Sequence, residues 1–200
     1  MVNKSGTTAQ VSSSAATSVF SQPVTFTATV RATAPGSGVP SSTVTFKDGA
    51  AVLGTAPLDG SGRATLTTSA LAVGSHSITA TYGGDTNFNG SSSTALIQTV
   101  NKNATTTTLA SSADPASVGQ AVTFTATVSA NAPGTGKPSG SVTFLDKGKA
   151  LASVALDAAG HASYTTSALT QGAHQITASY AGNTNFAGST SSALVENIKK

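Results

Sequence analysis

The stretch VTFTATV occupies Val24–Val30, and the same seven residues return at Val122–Val128. In the first copy Val24, Phe26, Ala28 and Val30 share one side of an extended chain, and Thr25, Thr27 and Thr29 share the other. Side chains of a strand alternate between faces, so this is a half-buried β-strand with an apolar face inward and hydroxyls outward. The copies lie 122 − 24 = 98 residues apart. That offset also aligns, without a gap, Phe46 with Phe144, Leu58 with Leu156, TTSAL at 67–71 with TTSAL at 165–169, and His76 with His174. Tyr82 meets Tyr180 and Phe88 meets Phe186 at the same spacing. A repeat of about 100 residues is domain-sized. Two domains are expected, at 5–100 and 105–200, with a short joint at 101–104.

Working outward from VTFTATV, similar alternation marks Val44–Phe46, Ala64–Thr68 and Ile78–Tyr82 as strands. Less regular strands are expected at Val52–Ala56 and Ala95–Val100, with a first one inside Thr7–Val19. Gly-, Pro- and Asp-rich segments such as APGSGVP (34–40), LDGSG (58–62) and LAVGSH (71–76) supply the turns. No stretch has a 3.6-residue apolar period, so no helix is expected. About seven short strands per repeat, with frequent turns, predict an all-β fold: two tandem immunoglobulin-like Greek-key sandwiches. Val2-Asn3-Lys4 and Ile198-Lys199-Lys200 both align with the joint at Val100-Asn101-Lys102. The chain therefore reads as two units of a longer array.

Composition narrows the function. Charged residues make up 8% of the chain, aromatics 5%, and the net charge is +3. Nucleic-acid binding calls for a basic face interleaved with aromatics, and neither is present, so no nucleic-acid partner is expected. The chain has no cysteine, which removes disulfides, thiolate metal sites and cysteine nucleophiles. No apolar run approaches the ~20 residues of a membrane helix. The first ten residues carry no apolar leader core, so any export signal is expected outside this segment.

The run TVTFKDGAAVLGTAPLDGSGRATLTTSALAVGSHSITATYGGDTNFNGSSSTALIQTV, at 43–100, closely resembles the bacterial immunoglobulin-like repeat domains of large surface and secreted proteins. The shared marks are the VTF-D strand, the LD-G-A hairpin, the TTSAL--G-H-I-A-Y-G--NF-GS run and the last apolar strand, each present twice. The resemblance implies a sandwich used in tandem outside the cell or on its surface, as a stalk, spacer or adhesive unit. It supplies no catalytic residue and no cofactor. The partners it implies are neighbouring repeats of the same chain, with a host-surface, glycan or protein ligand left open.

The chemical candidates are few. The decapeptide YGGDTNFNGS (82–91) offers Asp85, Asn87 and Asn89 as a weak calcium set, but its copy YAGNTNFAGS (180–189) has Asn183 in place of Asp85. Calcium sites rely on several carboxylates, so the preferred reading is an Asx turn, with Gly84, Gly90, Gly182 and Gly188 at positive φ. His76 and His174 follow a Leu-x-x-Gly turn, where immunoglobulin-type sandwiches often place a tyrosine that bonds back to the corner. They are expected as structural corners. No lysine inside the repeats recurs, which argues against an internal isopeptide crosslink, and neither a hydrolase triad nor a carboxylate pair is visible.

Strand order predicts that the loops 31–41, 58–62 and 83–90 gather at one pole. In the second domain Asn183, Asn185 and Phe186 are expected at the joint, in an end-to-end rod. The expected role is a non-enzymatic spacer repeat of an adhesin-like surface protein. The alternative is a glycan- or protein-binding module using the pole loops. Self-association through exposed edge strands stays open.

Overall fold

The computed structural model describes residues 3–200; Val2, the first residue of the expected joint, lies outside them. The chain separates into two compact units, up to Asn101 and from Lys102. The first unit holds β1 (Thr7–Ser13), β2 (Thr17–Val19), β3 (Val24–Ala32), β4 (Thr43–Asp48), β5 (Ala51–Pro57), β6 (Arg63–Thr68), β7 (Gly74–Tyr82), β8 (Ser91–Ser92) and β9 (Leu96–Asn101). The second repeats this as β10 (Thr105–Ser111), β11 (Ala116–Ser117), β12 (Val122–Ala130), β13 (Ser141–Asp146), β14 (Lys149–Ala155), β15 (His161–Thr166), β16 (Gly172–Tyr180), β17 (Ser189–Thr190) and β18 (Leu194–Lys199). Among the described residues there is no helix long and apolar enough to cross a membrane.

Each unit is a sandwich. In the first, β3 pairs with β1 on one side and β6 on the other, while a second sheet runs β2-β9-β7-β4-β5 with β8 on β7. The inward residues of β3 meet Val44, Phe46, Ile78, Ala80 and Tyr82 of the second sheet in one core. The outward threonines pair across strands: Thr25 Oγ1 lies 2.8 Å from Thr67 Oγ1, and Thr123 Oγ1 2.8 Å from Thr165 Oγ1. Such cross-strand hydroxyl pairs support a sheet without charge.

The expected single first strand is two strands on different sheets. β1 runs antiparallel to β3, and the chain then crosses so that β2 runs parallel to β9, Thr17 opposite Thr99 and Val19 opposite Asn101. Ser14 sits at the crossing, where its N–H donates to the Thr25 carbonyl at 2.9 Å and its Oγ accepts from the Thr25 N–H at 3.0 Å. A serine that satisfies backbone groups on both sides lets the strand leave its sheet without orphaned polar atoms.

The two cores differ at one buried polar position. Gln98 and Glu196 are both fully buried, at matching places on β9 and β18. Gln98 accepts from Ser13 Oγ at 2.7 Å and donates through Nε2 to Ser18 Oγ at 3.2 Å and the Thr99 carbonyl at 3.3 Å. Glu196 Oε2 accepts from Ser111 Oγ at 2.6 Å, while its Oε1 has no hydrogen-bond partner among the described residues. Ala116 stands where Ser18 would be. A buried acceptor without a donor costs about 1–3 kcal/mol. Glu196→Gln supplies an amide that can donate to the Asn197 carbonyl, and is expected to stabilise the second unit by about 1 kcal/mol or more. The urea midpoint of that transition should rise; a midpoint that stays or falls contradicts this account.

Candidate functional site

The side chains that carry chemistry collect in two places in each unit: a histidine corner under the 71–76 turn, and the pole formed by the decapeptide. At the corner, His76 Nε2 lies 2.9 Å from the Ala72 carbonyl and its Nδ1 2.7 Å from Asp48 Oδ2. The other oxygen of Asp48 accepts from the Ser77 N–H at 3.0 Å. The second unit repeats this, with His174 Nε2 at 2.9 Å from the Thr170 carbonyl, Nδ1 at 2.6 Å from Asp146 Oδ2, and Asp146 Oδ1 accepting from Gln175 N–H at 3.1 Å.

Both nitrogens of each imidazole face atoms that only accept hydrogen bonds. A ring so placed is best satisfied with two protons, as an imidazolium. Burial opposes the charge at His76, but the Asp48 carboxylate and the Ala72 carbonyl together outweigh it and raise the pKa. At His174 the Asp146 hydrogen bond dominates, with burial opposing, and the pKa again rises. Neither ring keeps a free nitrogen to take a proton from a hydroxyl, so the pair is built as a clasp between turn and strand. Sequence reasoning missed the aspartates. Their signal was present: 76 − 48 and 174 − 146 are both 28, and Asp and His persist in both copies while neighbouring Lys47 becomes Leu145.

At the pole, Asp85 Oδ1 accepts from the backbone N–H of Asn87 and of Phe88, each at 2.8 Å. Its Oδ2 accepts from Ser41 N–H at 2.9 Å and Ser41 Oγ at 2.8 Å. These donors, Ser41 N–H foremost, hold the carboxyl far below the usual carboxylate range. Asn183 does the same local work, its Oδ1 accepting from Asn185 N–H at 2.8 Å and Phe186 N–H at 2.9 Å. Its amide instead donates to the Ser139 carbonyl at 3.1 Å and to Ser139 Oγ at 3.2 Å. Asp can only accept, and so it meets an N–H; the Asn amide donates, and so it meets a carbonyl.

The neighbouring tyrosines register that swap. Tyr180 Oη donates to the Ser139 carbonyl at 2.9 Å, whereas Tyr82 Oη has no hydrogen-bond partner among the described residues. Burial, and then the Asp85 carboxylate beside it, push the Tyr82 pKa up to about 12.

Asn87 and Asn89 both bond the segment that opens the unit. The Asn87 carbonyl accepts from Ser5 N–H at 2.9 Å, and the Asn89 side chain donates to the Lys4 carbonyl at 3.3 Å. The Lys4 ammonium already donates to the Asp85 carbonyl at 2.6 Å. Lys102 repeats that bond on the Asn183 carbonyl at 2.6 Å, and Asn103 N–H donates to the Asn185 carbonyl at 2.9 Å. The decapeptide of each unit thus fastens the chain segment that opens the same unit. Phe88 and Phe186 are buried beneath it.

The glycines differ from expectation. Gly84 and Gly182 have positive φ, 88° and 83°, but Gly90 and Gly188 do not. Space is the reason at Gly90, where a Cβ would stand 2.8 Å from the Tyr82 carbonyl oxygen.

Two matches to a model of the bacterial Ig-like domain (group 3) span residues 11–101 and 107–199. The chain belongs to that family. Among solved structures it is similar to the fibronectin(III)-like modules of Clostridium thermocellum CbhA, with 20% identity, 94% of this chain and 93% of that one covered, and a TM-score of 0.36. The D0-D1 domain of intimin matches at 20% identity over 96% and 97% of the two chains, with a TM-score of 0.34. The Yersinia pseudotuberculosis adhesin InvE matches at 15% identity over 95% and 59%, with a TM-score of 0.41. No curated protein matches.

This bacterial Ig-like chain has a defined pH window. Asp85, Asp59 and Asp157 sit below their ordinary 3.8, so the stability they lend is complete above that value and is lost on acidification. His76 and His174 sit above 6.5, so their contribution is complete below 6.5 and is lost as pH rises through the raised value. Melting temperature should peak between 3.8 and 6.5. Combining Asp48→Asn with Asp146→Asn should flatten the alkaline side in a thermal scan. Asp85→Ala should lower the melting temperature of the first unit, whereas Thr86→Ala should leave it in place.

Proposed function

We propose that this chain is a load-bearing spacer repeat of a bacterial surface or secreted protein, without enzymatic activity. One observation carries the reading: the parallel pairing of β2 with β9 and of β11 with β18, strands from opposite ends of each unit. Pulling the two ends of a unit apart slides these strands along each other, so their hydrogen bonds are loaded together instead of opening one by one. The pairing is extended by Phe20 N–H donating to the Asn101 carbonyl at 2.8 Å, and by Val118 N–H donating to the Lys199 carbonyl at 2.8 Å.

Within this reading, residues 5–100 and 105–200 are the loaded units and 101–104 is the joint that passes force between them. Asn183, Asn185 and Phe186 brace that joint by fastening Lys102 and Asn103. Family membership supports an extracellular setting and neighbouring repeats as the partners. The absence of a free histidine nitrogen at either Asp–His pair supports a role without catalysis.

Single-molecule stretching tests the proposal. Two separate unfolding peaks are expected, each releasing on the order of 300 Å of chain for a 98-residue repeat once the folded span is subtracted from its extended length. Phe20→Pro removes the N–H bonded to Asn101 and should lower the force of one peak while the other keeps its height. Unfolding at forces no higher than the elastic background of the chain overturns the load-bearing role.

A further inference from the structure

Arg31 and Arg63 are the only arginines in the chain, and the fold brings them to one place on the first unit. Val30 is buried in β3, so Arg31, the next residue, points outward. Arg63 lies opposite Thr29 in the β3–β6 pairing, two residues back along β3 on the same outward face. Diagonal neighbours of this kind stand about 7–8 Å apart at their Cα atoms, within reach of long side chains. Arg31 lines a cleft of about 260 Å³ whose other walls include Gly36, Gly38, Val39, Pro40 and Ser61. Drug-sized pockets span about 300–1,000 Å³, so this cleft fits one small ring.

The groups on the walls are complementary to a particular chemistry. The Arg31 guanidinium has no hydrogen bond or ion pair among the described residues. Asp59 bonds the Arg63 backbone, and its Oδ1 is committed to Ser61 N–H at 2.8 Å, Ser61 Oγ at 2.7 Å and Arg63 N–H at 3.0 Å. Arg31 is the one charged residue on the cleft walls and makes the cleft cationic, with Arg63 diagonal to it across the sheet. Val39, 52% exposed, adds an apolar surface beside the cation. A planar guanidinium grips a carboxylate through two parallel N–H bonds, and the carbon face of a pyranose suits an exposed aliphatic side chain. The second unit lacks these features: Ser129, His161, Lys137 and Ala159 stand where Arg31, Arg63, Val39 and Ser61 do.

We propose that the cleft beneath the 36–40 loop of the first unit binds the carboxylate-bearing ring of an acidic sugar, with Arg31 holding the carboxylate and Arg63 supporting it. This site is additional to the load-bearing role and does not depend on it. Affinity for one ring is weak, with Kd of order 1 mM, and salt weakens it further because the pair is exposed.

The test is an NMR titration of the whole 200-residue chain, labelled with ¹⁵N, using D-glucuronate, D-glucose and acetate at constant ionic strength. Glucuronate is expected to shift the amides of Arg31, Gly36, Gly38 and Ser61, and to leave the matching amides of the second unit unmoved. Arg31→Ser installs the residue that the second copy carries, so the fold accommodates it; it should weaken binding about tenfold or more. Arg63→His should weaken it less. Equal shifts with glucose, equal shifts with acetate, or full binding by Arg31→Ser would each overturn the proposal. So would no shift with glucuronate, or shifts from a short glutamate peptide at these amides without any from glucuronate.

Discussion

The inward face of β3 is the constraint on which each unit depends. Phe26 and Ala28 there are fully excluded from water, and Val24 and Val30 are excluded to within 1%. The strand is flanked by β1 and β6, so its backbone groups are paired on both sides while its face meets the opposing sheet. Burying a large apolar side chain contributes about 1.5–3 kcal/mol, and a domain's net stability is only about 5–15 kcal/mol. A chain with 5% aromatics has few such residues to place. Phe26, Phe46 and Tyr82, with Phe124, Phe144 and Tyr180 in the second unit, are all in the core. That leaves the surface to threonine and serine, whose hydroxyls pair across strands in place of charge.

With the core this economical, the poles and corners are held by directed polar bonds. The Asp–His clasp joins the end of β4 to the start of β7, and the decapeptide joins the last loop to the chain segment that opens the unit. The two copies reach the same local turn by different means. Asp85 accepts from Ser41, Asn183 donates to Ser139, and the tyrosine beneath gains or loses its partner accordingly. One changed atom, an oxygen for an NH₂ group, inverts the hydrogen bonds of a loop 44 residues away in sequence. The same economy governs the decapeptide. The single carboxylate is consumed by the turn, and a lysine ammonium occupies the adjacent carbonyl.

The two copies also show how a repeat diverges around a fixed frame. The strands, the clasp and the contacts of Gly84 and Gly90, matched at Gly182 and Gly188, persist. What differs is the polar detail: glutamine against glutamate in the core, and an arginine pair against serine and histidine near the pole. A frame carried by backbone pairing and a few buried rings tolerates such changes, because surface and pole substitutions leave the two-sheet packing intact. This is how one copy can carry a cationic cleft while both keep the same end-strand pairing.

Much of this was legible in the sequence, because it is local. Alternation over seven residues sets which face of VTFTATV is buried, and the 98-residue offset sets the number of domains. An Asp or Asn two residues before a paired N–H sets the turn, and a histidine after Leu-x-x-Gly sets a bond back to its corner. Tertiary structure decided the rest. It split the first strand between two sheets, brought Asp48 to His76 across 28 residues, buried Glu196 against Ser111 across 85, and set Arg63 diagonal to Arg31. The physical reason is range. Backbone preference and face alternation are written within a few neighbouring residues. Strand register, and every hydrogen bond that depends on it, exists only once distant segments have paired.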